Sequence, residues 1–155
     1  MDIQQLRDEL TTDPENYGYA SMSDNEVAES LNSPTIDAKG TVPASAVRSF
    51  VLLNGLWPRF SKASQTHEDA NVQGTAETIL QTLAPNSFDE IRMGDEPVYN
   101  AVDSMLSVMV SANLMTQEQK SQMMALGDTK ISRAQSLGFG SVHHLQVGEA
   151  RLMEG

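Results

Sequence analysis

The chain has 155 residues, 5 % aromatics, no cysteine and a formal net charge of −11. That excludes a disulfide scaffold, thiolate chemistry and cysteine-ligated zinc, and it disfavours nucleic-acid phosphates, which call for a basic face. No apolar run approaches the ~20 residues of a membrane span, and the opening "MDIQQLRDEL" is charged from residue 2, unlike a secretory signal, so a soluble cytoplasmic protein of one domain is expected.

Ile3, Leu6 and Leu10 fall at i, i+3 and i+7, predicting a short amphipathic helix over 2–12. Asp13-Pro14 ends it, because the residue before proline is displaced from the helical region. A Gly-Tyr turn follows, in which Gly18 takes a backbone shape closed to other residues and Tyr19 turns inward, with Tyr17 more exposed. Ser23 and Glu26 form a capping box for a helix over 24–31 that buries Val27, Ala28 and Leu31. Residues 35–41 read as loop or a short strand.

Pro43 suits a helix start, and Ala46, Val47, Phe50, Val51 and Leu53 carry that helix to a stop at Gly55. Trp57-Pro58 restarts the chain as helix to about 65. The polar stretch 62–75 reads as loop or weak helix. Ala76, Ile79, Leu80 and Leu83 predict a helix ended by Pro85. Ser87 and Glu90 repeat the capping-box pattern over a short helix stopped by Gly94. The longest helix is expected over 97–113, with Val98, Val102, Met105, Leu106, Met109 and Val110 on a wide apolar stripe. Thr116 and Gln119 cap a helix running to Gly127. A short helix at 132–137, a Gly138-Phe139-Gly140 turn and a last helix at 144–153 complete the chain. The expected fold is all-α, a compact bundle of seven to nine short helices with at most a minor short strand pair. Residues 1–155 form one helical domain, with 1–37 as a possible acidic N-terminal arm.

The residues offer little chemistry. His143 and His144 are adjacent and cannot sit one turn apart as metal ligands do, and His67 stands in a polar stretch. One of the paired histidines caps the last helix. "SLGFGSV" lacks the third glycine, the Lys-Ser/Thr pair and the preceding strand of a phosphate cradle. No catalytic, cofactor-binding or metal-binding residue is assigned, and no enzyme activity or cofactor is expected. The nine methionines, seven of them from Met93 onward, read as core at helical spacing before they read as an adaptable groove.

Charge is unevenly placed. Residues 1–37 carry nine acids against one base, Arg7, whereas no acid occurs between Asp37 and Glu68, a stretch holding Lys39, Arg48, Arg59 and Lys62. An acidic arm docked on a basic patch, in the same copy or a neighbouring one, follows as an expectation. Candidate interface residues are Tyr17, Tyr19, Arg48, Trp57, Arg59 and Lys62. Candidate structural residues are Pro14, Gly18, Ser23, Glu26, Gly127, Arg133 and Gly138.

"LRDELTTDPENYGYASMSDNEVAESLN" and "LMTQEQKSQMMALGDTKISRAQSLGFGSVHHLQVGEARL" together resemble the two ends of a set of small proteins encoded by tailed bacteriophages. The matching positions are Asp13, Pro14, Gly18, Tyr19, Val27, Leu31 and Asn32 at one end. At the other they are Leu126, Gly127, Ser132, Arg133, Ala134, Leu137, Gly138, Val147, Ala150 and Arg151. The resemblance covers about half the chain; residues 35–95 have no counterpart. It implies a phage setting among structural genes: a virion protein of neck, tail or baseplate, assembled in the host bacterial cytoplasm. Its partners would be other phage structural proteins and further copies of itself, in a ring or on a symmetric particle, with no nucleic acid and no membrane. A capsid decoration protein, or a non-virion acidic protein that inhibits a host protein, is the alternative. Arg133 is expected to set its guanidinium fork on a carboxylate or on helix-end carbonyls.

Overall fold

The computed structural model describes residues 2–153. Among them are nine α-helices, one 3-10 turn and four short strands. Two compact units form, one from Met1–Asp37 with Lys130–Gly155 and the other from Ala38–Thr129. The mostly helical expectation holds, with strands confined to two short pairs.

The first unit is built by both ends of the chain. It contains α1 (Ile3–Thr12), a 3-10 turn (Tyr19–Ser21), α2 (Asp24–Asn32), α8 (Arg133–Ser136) and α9 (His144–Leu152). α9 packs on α1 and α2, and α8 on α2. Their apolar stripes close one core of Leu6, Tyr19, Val27, Ala28, Leu31, Ala134, Phe139, Val142, Val147 and Ala150. Local chemistry sets the boundaries. The Asp2 carboxylate accepts the Gln4 N–H at α1. Ser23 and Glu26 cap α2 reciprocally, and Ser132 with Gln135 does the same for α8. His143 takes the N-cap of α9 and donates its N–H to Gln146.

The second unit contains β2 (Thr41–Pro43), α3 (Ala44–Leu53), α4 (Leu56–Thr66), α5 (Ala70–Thr82), β3 (Glu90–Arg92), α6 (Glu96–Ser111) and α7 (Gln117–Ala125). Its core holds Val51, Leu56, Phe60, Ala76, Leu106 and Met109 among others. Met93, Met115, Met123 and Met124 are buried there too, so most of the methionine-rich stretch is packing. Gly55, at φ 64°, ends α3 and starts α4. Two further strands, β1 (Pro34–Lys39) and β4 (Asp128–Ser132), pair with each other where the chain passes from one unit to the other.

One local expectation is overturned, and one left open between loop and helix is decided. The Ser87–Glu90 pattern caps no helix. Residues 90–92 are β3, antiparallel to β2 with Val42 opposite Ile91. Asn86 turns the chain at φ 67°, and Ile91 and Met93 then face inward while Glu90 and Arg92 face out, a two-residue period that only a strand satisfies. The polar stretch 62–75 is helical except at 67–69. Asp69 caps α5 by accepting the N–H groups of Asn71 and Val72, so that helix starts six residues before Ala76. Gly127, just past α7, is held by close packing. It is buried, and a Cβ there would lie 2.9 Å from that of Met93.

Candidate docking surfaces

The Asp13-to-Tyr19 turn is organised by one carboxylate. Asp13 adopts a left-handed conformation at the end of α1, φ 39° and ψ 61°. Its two oxygens accept N–H groups from Tyr17 at 2.8 Å, Gly18 at 2.7 Å and Tyr19 at 3.3 Å. Pro14 is exposed in the bend, and Gly18 sits at φ 82°. Tyr19 is consequently driven into the first core, 1 % exposed, while Tyr17 is half-buried against it with ring centroids 5.4 Å apart. The Tyr19 hydroxyl is buried and has no hydrogen-bond partner among the described residues. Burial, then the nearby Glu9 charge, push its pKa far above the ordinary tyrosine value.

Three polar clamps tie the chain ends together. The Arg133 fork meets the Glu9 carboxylate in two bonds, Nε–Oε1 at 2.8 Å and Nη2–Oε2 at 2.9 Å. Arg151 donates to the Tyr19 and Met22 carbonyls at 2.7 and 2.9 Å and to Asp24 at 2.5 Å. The Asn32 amide exchanges both bonds with the Val142 backbone. Lys130 pairs with Asp37 at 2.6 Å and holds that carboxyl below the usual range. Of the acids of 1–37, Glu9, Asp24 and Asp37 thus pair with Arg133, Arg151 and Lys130. The Gly138 stop also holds, at φ 75°.

The interface candidates of the second unit divide. Arg48 is half-buried and donates to the Leu83 carbonyl at the end of α5, at 3.4 Å. Trp57 packs half-buried against the core. Arg59 and Lys62 are exposed on α4 and form no ion pair among the described residues. At the end of α3, one turn before α4, Leu52 is 61 % and Leu53 87 % exposed.

Sequence reasoning missed a groove between residues 87–92 and the first half of α6. Its volume is about 860 Å³, and Phe88, Ile91, Val98, Ala101, Val102 and Met105 line it. Exposed Asp89, Glu90 and Asp95 stand around it. The signal was the width of the α6 stripe, which exceeds what one core contact covers; the incorrect helix at 87–94 hid the opposite wall. On α9, Leu145 and Leu152 also face solvent, 73 % and 83 % exposed.

Among the described residues no cluster of His, Asp or Glu has the arrangement of a metal site, and no helix is long and apolar enough to cross a membrane. Comparison with protein-family models, with curated proteins and with solved structures finds no match to this chain.

Proposed function

We propose that this chain is a structural protein of a tailed-bacteriophage virion, a repeated subunit of the neck, tail or baseplate that acts through protein–protein contacts. The observation that carries the proposal is the exposure of large apolar side chains at Leu52, Leu53 and Phe88 in a chain of net charge −11. Leu52 and Leu53 are neighbours at the end of α3 and Phe88 stands at the wall of the groove, and exposed apolar patches of this kind mark contact surfaces. The resemblance to small phage proteins supports the setting. The residues that carry it in the first unit are core, turn and clamp residues, including Tyr19, Leu31, Asn32, Arg133, Val147 and Arg151. A shared scaffold is therefore what the resemblance describes.

The alternative of an acidic inhibitor is less well supported by the charge distribution. Much of the acidity of residues 1–37 is used internally: Asp2, Asp13 and Glu26 bond backbone N–H groups, and Glu9, Asp24 and Asp37 pair with cations. The test is quantitative mass spectrometry on purified particles of the phage that encodes the chain. A fixed copy number at a ring multiple supports a neck, tail or baseplate subunit. A copy number that follows the capsid lattice indicates decoration instead, and absence from particles overturns the virion reading.

A further inference from the structure

We infer that copies of this chain join head to tail, with the α3–α4 corner of one copy seated in the groove between β3 and α6 of the next. The inference rests on the repeated-subunit reading and names its contact. The groove has a volume of about 860 Å³, open to solvent along its rim. Its floor is apolar, from Val98, Ala101, Val102 and Met105, and Phe88 stands 57 % exposed at its wall. The rim is acidic, from Asp89, Glu90 and Asp95; the one cation there, Arg92, already pairs with Glu90 at 3.1 Å.

The corner carries the opposite features. Leu52 and Leu53 project from the end of α3, and Arg59 and Lys62 lie one turn apart on α4 without an ion pair among the described residues. No acid intervenes anywhere between Asp37 and Glu68. The leucines supply the apolar area and the charges fix which way it docks. A groove-to-groove contact would bring acids together and a corner-to-corner contact cations, and both are disfavoured. The two surfaces share no residue, so the contact is heterologous and leaves a free corner and a free groove on every pair. Such a contact closes into a ring or continues as a filament.

The test uses the full chain in sedimentation velocity over a range of concentrations. Leu53→Asp disables the corner and Ala101→Glu the groove. Both positions are exposed, so an unchanged urea midpoint verifies that each variant is folded. Wild type is expected to assemble beyond a dimer, and each variant alone to self-associate more weakly by roughly tenfold or more. An equimolar mixture of the two variants should recover a dimer that does not grow, because it retains one intact groove and one intact corner. A wild type that stays monomeric, a variant that assembles as wild type does, or a mixture that stays monomeric overturns the inference. Presence in particles without self-association would leave the virion reading standing while this contact fails, the groove then serving another protein. Self-association with absence from particles would do the reverse.

Discussion

Tyr19 and Arg133 show how single side chains decide the first unit. The Tyr19 ring is fully used in packing, but its hydroxyl is buried without a partner among the described residues. An unpaired buried polar group costs about 1–3 kcal/mol. Tyr19→Phe keeps the ring and is expected to raise the urea midpoint, with a gain of about 1 kcal/mol. The pH dependence has a definite sign. The folded state holds the hydroxyl protonated above its ordinary pKa of 10.0, so only the unfolded chain ionises as pH first passes that value. The stability tied to this group is complete below pH 10 and declines above it. The advantage of the Phe variant should therefore widen between pH 9 and pH 11; urea titrations at matched pH would show a constant gap if this is incorrect. At Arg133 the expectation is a loss. The side chains of Arg133 and Glu9 are 16 % and 6 % exposed, so Arg133→Ala strands a buried carboxylate and should cost about 3–5 kcal/mol. Glu9→Leu combined with Arg133→Leu removes both charges and should cost less than that single change. Equal losses would show that the pair is not coupled.

At the scale of elements, capping boxes were legible only where the following residues supported a helix. Ser23–Glu26 and Thr116–Gln119 both close as read. Ser87–Glu90 has the same spacing but leads into Glu90-Ile91-Arg92-Met93, whose burial alternates. Its partner strand, Thr41–Pro43, lies some fifty residues earlier, and a local pattern cannot register a pairing that distant. The groove was lost with it, since Phe88 had been assigned to that helix. Glycines in this region have two opposite roles. A Cβ at Gly94 would lie 2.8 Å from the Lys39 carbonyl oxygen, a backbone atom that cannot move without shifting its strand. Gly94→Ala should cost about 1–3 kcal/mol, as overpacking does. Gly74 lies inside α5 with no atom within 4 Å of such a Cβ. Gly74→Ala should add about 0.8–1 kcal/mol, the difference in helix propensity. Thermal unfolding of the two variants should move in opposite directions, and a shared sign would remove the close-packing argument.

At the scale of the whole molecule, the two cores share no residue. Every side chain of one lies within 42–124, and those of the other lie within 6–31 and 134–150. A linear reading groups residues 1–37 as an arm on a single domain; the contacts group them instead with the far end of the chain. Periodicity showed which faces were apolar but carried no information on which face met which. The clamps that decide it span 110 residues at Asn32–Val142 and 124 at Glu9–Arg133. Separate cores predict separable folding, because burial of apolar area within each unit is the main term opposing its chain entropy. Residues 38–129 expressed alone should unfold in one cooperative urea transition. The other unit needs only a short bridge, since Asp37 and Lys130 are held 2.6 Å apart by their ion pair. Residues 2–37 joined to 130–153 by a few Gly-Ser residues should therefore also fold. The intact chain should then depart from two-state behaviour, with tryptophan fluorescence from Trp57 following the second unit alone while far-UV circular dichroism follows both. Coincident transitions by the two probes, together with a non-cooperative 38–129 fragment, would show that the cores depend on each other.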